Sequence, residues 1–261
     1  MIMLKTIPIP AFSDNYIWLL HEVDGAHAWV CDPGDAAVVE RYLEAHGLTL
    51  SGIFITHHHP DHIGGVAGLM AGRSIPVLGP RHEKIPHLTQ PLGEGDVCQI
   101  LGHEVRILDI PGHTLGHIAY LIEGETALLF CGDTLFAGGC GRIFEGTVAQ
   151  MYQSLMKLAA LPPQTAVHCA HEYTLSNLRF AAVVEPDNAQ LQRRIVTESE
   201  KRGCGEPTVP STIGLELATN PFLRGHVAEV KRAAEAWKQG PLAQQEEIFG
   251  AIRHWKDGFK G

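Results

Sequence analysis

The chain has 261 residues, 45% of them apolar and 19% charged, with a formal net charge of −9 and with 28 Gly and 16 Pro spread along its length. This is a globular composition with enough chain for one large domain or two unequal ones, and it excludes long disorder. No run approaches the ~18 consecutive apolar residues of a membrane span. Prolines interrupt MIMLKTIPIP where a signal peptide needs an unbroken apolar region, and the acidic balance argues against general nucleic-acid binding. A cytoplasmic protein with neither a membrane nor a nucleic-acid partner is expected. The six cysteines form no CxxC pair and read as reduced thiols. Histidine stands out at 16 residues, and it clusters.

In chain order, NYIWLLHE and HAWVCD read as strands joined by a turn at Asp24-Gly25. Asp35 is a candidate N-cap for a helix carrying Val38, Val39, Tyr42 and Leu43, ended by Gly47. GIFIT (52–56) is a buried strand, and further strands are expected at 75–79, 97–101, 104–110, 117–122, 126–131 and 165–169. Thr147 caps an expected helix with Met151, Tyr152, Leu155 and Met156, stopped by Pro162-Pro163. From 174 on the periodicity is helical, at 175–185, 188–202 (behind Asp187), 226–239 and 242–255, while GCGEPTVPSTIG reads as a loop. The pattern predicts a layered α/β domain over 1–173 and a smaller helical domain over 174–261.

The strand at 52–56 runs directly into His57-His58-His59-Pro60-Asp61-His62. Side chains alternate along extended backbone, so His57 and His59 face one way and His58 the other. Pro60 favours a helix start after it, which turns Asp61 and His62 toward a second point. Two ligand pairs a few ångströms apart suit two metal ions. His113 follows ILDIPG, Asp133 follows ALLFCG and His171 follows TAVHCA, each at the end of an expected strand, and Gly112 and Gly132 permit sharp turns beside them. These seven residues form the candidate metal set. With nitrogen and oxygen donors and no thiolate, Zn, Fe and Mn are all acceptable. Asp32, before Pro33-Gly34, is a candidate to orient a ligating imidazole from behind. His58, His117 and His168 face elsewhere or serve packing.

These motifs are identified as those of the metallo-β-lactamase superfamily, in the order THxHxDH, GHTxGH, GDT and a later His. More closely, the chain resembles the glyoxalase II, or hydroxyacylglutathione hydrolase, family. That likeness is carried by DNYIWLL (14–20), DPGD (32–35), THHHPDH (56–62), PGHTLGH (111–117), GDTLFAGGCGR (132–142), HEYTLSNLRFA (171–181) and NPFLR (220–224). The resemblance implies an αββα sandwich followed by a helical C-terminal domain. It also implies that His57, His59 and His113 hold a first metal, that Asp61, His62 and His171 hold a second, and that Asp133 bridges them, with zinc the first expectation. Basic residues that bind glutathione in the family fall at Arg142 and at Arg253 and Lys256, and a contacting tyrosine falls at Tyr173. On spacing alone the Arg253/Lys256 pair would read as a solvated helix face. Phe144 stands where some relatives have a second tyrosine, and Arg142 where others have lysine.

Two divalent cations, offset by Asp61, Asp133 and a bridging hydroxide, leave a residual positive charge that suits an oxyanion. Asp61 is expected to orient the hydroxide. A thioester leaves as a thiolate of parent pKa ~8.5, so it needs little acid help. No Ser-His-Asp arrangement or GxSxG elbow is present. The expected activity is hydrolysis of S-(2-hydroxyacyl)glutathione thioesters, chiefly S-D-lactoylglutathione, by a monomer. The alternative is a persulfide dioxygenase with a single iron, which would normally lack the long helical tail. A tRNA-processing phosphodiesterase would need a basic exosite, and a β-lactamase would usually be exported with altered second-site ligands. A non-enzymatic scaffold would not need seven ligands intact.

Overall fold

The computed structural model describes residues 4–260. Backbone packing divides it into two units, one running to Asp109 together with Thr114–Gly132, the other comprising Ile110–His113 together with Asp133 onward.

In the first unit, β1 (Leu4–Ala11), β2 (Asn15–Glu22) and β3 (His27–Cys31) pair antiparallel. The chain then passes through α1 (Ala36–His46) into β4 (Thr49–Phe54), which lies parallel to β3. Asp35 accepts the Ala37 amide as N-cap, and Gly47 ends α1 in the left-handed region at φ 62°. The short helices α2 (Pro60–Ile63) and α3 (Val66–Met70) precede β5 (Val77–Pro80) and β6 (Gln90–Leu92), which extend the sheet in parallel. A second, antiparallel run follows, of β7 (Val97–Ile100), β8 (His103–Asp109), β9 (Ile118–Ile122) and β10 (Leu128–Gly132).

Strand β4 shows how the layers are held. Its Ile53 points into a cluster with Val39 and Leu43 of α1 and Val66 and Leu69 of α3. Its neighbour Phe54 points the opposite way, as the strand period requires, and meets Tyr120 and Phe130 edge-on at 4.9 and 5.3 Å. The two strand layers of this unit therefore pack face to face, with helices on the outer face of the first. Tyr120 donates its hydroxyl to the Ile55 carbonyl at 2.8 Å, so the buried phenol costs no unpaired polar group.

The second unit contains the short hairpin β11 (Leu135–Phe136) and β12 (Gly139–Cys140), then α4 (Val148–Ala159) and β13 (Ala166–Cys169). Thr147 and Gln150 close a capping box on α4. Next come α5 (Thr174–Val184), α6 (Ala189–Gly203), β14 (Ser211–Thr212) and α7 (Ile213–Thr219), then a 3-10 turn at Pro221–Leu223, α8 (Ala228–Lys238) and α9 (Gln245–Gly258). Several details differ from the sequence reading, which did not give β6, the β11–β12 hairpin or α7. The stretch GCGEPTVPSTIG is not all loop: Ser211–Thr212 pairs with β13, and Thr212 caps α7 through the Leu215 amide. The cap of α6 is Asn188, which accepts from Gln190 and Leu191, rather than Asp187. Among the described residues no helix is long and apolar enough to cross a membrane. The cysteines are free thiols, with Cys204 alone exposed.

Phe54→Ala removes the ring on which both inner faces close, and should lower the unfolding free energy by ~3–5 kcal/mol. Urea denaturation checks this.

Candidate metal centre and cleft

The first unit carries Asp32, His57, His59, Asp61 and His62. Strand β4 runs out through Ile55 and Thr56 into the histidine run. His59, extended at φ −62° and ψ 145°, is the N-cap of α2 with Pro60 behind it. Alternation is maintained along this exit. His57 and His59 bring Nε2 and Nδ1 to 3.1 Å of each other, while His58 turns away to place its Nδ1 3.0 Å from Glu83. The helical turn after Pro60 sets His62 Nε2 3.5 Å from Asp61 Oδ2, and Asn15 donates to the same Asp61 oxygen at 2.9 Å.

Asp32 organises this group. Its Oδ1 accepts the Thr56 amide at 2.7 Å, and its Oδ2 accepts the Thr56 hydroxyl at 2.7 Å and His62 Nδ1 at 3.0 Å. These contacts fix two tautomers. His62 carries its proton on Nδ1, facing Asp32, so its Nε2 is a bare lone pair. The Thr56 hydroxyl spends its hydrogen on Asp32 and must accept from His57 Nδ1 at 3.0 Å, which bares His57 Nε2 as well. Stacking of His117 on His57 at 4.5 Å, with 15° between planes, holds that ring.

The second unit carries His113, Asp133, His171, Arg142, Tyr173, Arg253 and Lys256. His113 donates Nδ1–H to the Arg142 carbonyl at 2.8 Å, again leaving Nε2 as a lone pair. That nitrogen lies 3.4 Å from Asp133 Oδ2, and His171 Nε2 lies 3.3 Å from the same oxygen. The His171 ring stacks on Tyr173 at 4.7 Å and meets the edge of Phe136 at 5.8 Å. In both units, imidazole nitrogens and carboxylate oxygens converge, at 3.5 Å for His62 and Asp61 and at 3.4 and 3.3 Å for His113 and His171 with Asp133, a grouping of metal-ligating donors. The donor chemistry therefore fits metal ions.

His113 and Asp133 also line a cleft of about 470 Å³ in this unit, together with Arg142, Tyr173, Arg253 and Lys256. Arg253 is buried. Its Nη1 donates to the Cys140 carbonyl at 2.8 Å, its Nη2 to Asp257 at 2.9 Å, and its guanidinium lies 5.0 Å from the Phe222 ring centre. Lys256 donates to the Ser176 carbonyl at 3.3 Å. Burial, with Arg253, Arg179 and Arg142 nearby, pushes its ammonium down from the ordinary lysine value to about 8. Arg142 is largely exposed, with Asp257 3.9 Å from its Nε. Phe144 sits at the rim, its ring edge-on to His113 at 5.2 Å and well exposed.

Sequence reasoning missed Thr56 and Asn15, although both lie inside motifs it quoted. It also missed Phe136, Ser176 and Asn177, which line the cleft but sit in no ligand-like spacing. Glu83 gave no signal either. Nonetheless it accepts from the Gly116 amide at 3.1 Å and from the Thr114 hydroxyl, which pins the GHTLGH segment.

Two family models match the chain, the metallo-beta-lactamase superfamily over residues 14–171 and the hydroxyacylglutathione hydrolase C-terminus over residues 172–259. A hydroxyacylglutathione hydrolase of Alkalilimnicola ehrlichii is 54% identical, covering 98% of this chain and 99% of that one. One from Pseudomonas aeruginosa PAO1 is 53% identical, over 98% and 100%. Among solved structures, TTHA1623 in a di-iron-bound form aligns with TM-score 0.57 and 27% identity, over 83% of this chain and 100% of that one. ETHE1 from Myxococcus xanthus aligns with TM-score 0.67 over 98% and 90%, and at 22% identity this shows the shared fold alone.

Asp32→Asn tests the organising carboxylate. Asparagine tolerates the left-handed backbone that Asp32 adopts at φ 51°, yet it must turn an NH2 toward Thr56 or His62. Metal affinity should fall ~10–100-fold, read by competition against a chromophoric chelator.

Proposed function

The chain belongs to the hydroxyacylglutathione hydrolase family of the metallo-β-lactamase superfamily, and from that premise we propose that it hydrolyses S-(2-hydroxyacyl)glutathione thioesters, chiefly S-D-lactoylglutathione, to glutathione and D-lactate. The observation that carries the reading is the cleft, where His113 and Asp133 share one cavity with Arg142, Arg253 and Lys256. Metal donors and anion-binding cations thus serve the same bound molecule. Residues 1–173 form the catalytic portion in this reading, with Arg142 and Tyr173 among the glutathione contacts, and residues 174–261 supply Arg253 and Lys256.

His57, His59 and His113 would hold one metal and Asp61, His62 and His171 the other, with Asp133 bridging. Bound there, two divalent cations activate water near neutral pH and stabilise developing negative charge on the substrate carbonyl. Zinc is the first assignment. The thiolate-free donor set accommodates iron or manganese as well, and TTHA1623 in its di-iron form is a precedent. The chain's own residues do the rest. Asp61, held by Asn15, accepts a hydrogen bond from the attacking water and orients it. The water, its first proton lost to solvent, adds as hydroxide to the acyl carbon, and the C–S bond breaks. The acid product gives up the second proton to leave as a carboxylate, and the sulfur leaves as a thiolate, which needs no dedicated acid at its ordinary pKa.

Glutathione conjugates are anionic, and the protein as a whole is acidic. Local cations must therefore overcome the global field, a role we give to Arg142, Arg253 and Lys256. Tyr173 lies flat on His171 and offers its hydroxyl to the peptide. Phe144 offers no hydroxyl at its position, which should weaken binding relative to relatives with tyrosine there. A monomer in the cytoplasm, acting on a small molecule without nucleic acid or membrane, completes the proposal.

The first experiment compares S-D-lactoylglutathione with the lactoyl thioester of a small thiol, and determines metal on the same sample. Fast turnover of the glutathione conjugate alone with two metals per chain supports the reading. Equal rates would remove the glutathione site, and no turnover with one iron would favour the dioxygenase. A second test uses pH. Lys256, with its pKa near 8, is charged below that value and loses its charge above it. KM for the anionic substrate should therefore rise between pH 7 and pH ~9.5. Lys256→Arg, which stays charged, should flatten that rise.

A further inference from the structure

The hairpin β11–β12 carries Phe136 and Cys140 into the cleft, yet it has only two residues in each arm. An isolated ribbon of that size does not hold itself. Instead its backbone is fastened, residue by residue, by side chains from elsewhere in the second unit. The Phe136 and Gly139 carbonyls accept from Asn220 Nδ2 at 3.3 and 2.9 Å. The Ala137 carbonyl accepts from Asn177 at 3.1 Å, and the Gly138 amide donates to Glu216 Oε2 at 2.8 Å. The Cys140 carbonyl accepts from Arg253 at 2.8 Å.

Asn220 and Glu216 are the hub of this fastening, and both are fully buried. Asn220 Nδ2 also donates to Glu216 Oε2 at 2.9 Å. Glu216 Oε1 accepts from Arg194 Nη2 at 2.6 Å and from the Ser211 hydroxyl, so the carboxylate is bonded on both oxygens. The other atom of the Asn220 amide, Oδ1, caps the 3-10 turn through the Phe222 amide at 3.1 Å. One amide thus spends its acceptor on a helical turn and divides its two donor hydrogens between the hairpin and Glu216.

We propose that Asn220 is a positioning residue for glutathione recognition, acting through the β11–β12 hairpin on the two cleft features that hairpin sets. One is the Phe136 ring, which stands edge-on to Tyr173 at 5.3 Å. The other is the carbonyl of Cys140, which aims Arg253. Phe136 also borders His171 at 5.8 Å, but the Phe136–Tyr173 contact and the Arg253 anchor both lie on the glutathione side, so the larger effect falls on binding of the glutathione moiety. This inference rests on the hydrolase reading above.

Asn220→Ser separates the two jobs, because serine is as good an N-cap as asparagine but cannot reach the hairpin carbonyls. For S-D-lactoylglutathione, KM should rise ~3–10-fold with kcat within about twofold, the loss expected for one or two neutral hydrogen bonds. Hydrolysis of the small-thiol lactoyl thioester should keep its kcat/KM. A readout independent of activity is alkylation of Cys140, which is 5% exposed. Its rate should increase at least ~3-fold as the hairpin loosens, while Cys31 and Cys131 stay unchanged.

An unchanged KM and an unchanged Cys140 rate would overturn the proposal, even if thermal stability fell, because Asn220 would then serve only the fold. A parallel loss on both thioesters would overturn it too, by moving the effect to the metal donors. Equal wild-type rates on the two substrates would instead remove the glutathione reading itself. The alkylation rate would then still decide whether Asn220 holds the hairpin.

Discussion

The donor cluster of the first unit depends on one buried carboxylate. Asp32 accepts the Thr56 amide, the Thr56 hydroxyl and His62 Nδ1, and so decides which nitrogen of two imidazoles is bare. It does so from a left-handed backbone at φ 51°, a conformation costing a non-glycine residue roughly 1–2 kcal/mol. The next residues explain the cost. Gly34 lies so close to the Asp61 carbonyl that a Cβ would come within 1.8 Å of it, and the Gly65 amide donates to the Pro33 carbonyl at 2.9 Å. The DPGD loop is pressed against the loop bearing Asp61 and His62, and the sharp turn at Asp32 allows both the close approach and the hydrogen bonds. Strain of this kind persists only where surrounding structure over-determines it, and here three hydrogen bonds do so.

The second unit solves the same problem by a different device. Its donors and cleft residues sit on short, irregular backbone: a tight hairpin, the exit of β13 and one face of α9. No long strand pairing imposes their geometry. Side chains do that work, with Glu216, Asn220, Asn177 and Arg253 each bonded to hairpin backbone. The buried pair of Arg194 and Glu216 fits this logic. Desolvating two charges offers little net stability. Yet once bonded on both oxygens, the Glu216 carboxylate fixes Gly138 and Asn220 in one arrangement and disfavours the alternatives.

Much of this was legible in the sequence. Strand β4, the capped helices α1 and α4 and the histidine run announce themselves through local rules of period 2, N-caps and Pro at a helix start. Those rules concern residues within a few positions of one another. What the sequence withheld is long-range pairing of ordinary residues. Ser211–Thr212 reads as loop because two residues carry no periodicity, and only β13 makes them a strand. Asp187 and Asn188 are both good caps, and the choice between them depends on packing. Thr56 and Asn15 look like generic polar residues until Asp32 and Asp61 lie beside them. Asn220 is separated from the hairpin it holds by 81 residues, and no spacing rule reaches that far.

The electrostatics of the cleft follow from where each cation is spent. Arg253 is committed: its guanidinium is divided among the Cys140 carbonyl, Asp257 and the Phe222 ring, so it is a fixed positive wall. Arg142 stands in solvent, where its charge is screened. Lys256 lies between these extremes. Half-buried beside like charges, it holds its proton weakly. An anionic ligand would offset the like-charge part of that shift, though not the desolvation by burial that is its larger cause. For an anionic ligand held there, binding and protonation of Lys256 would be linked, each favouring the other. Arginine at 256 would stay charged in every state and could not be relieved in this way. Positive charge is thus concentrated in one cleft of a protein whose net charge is negative.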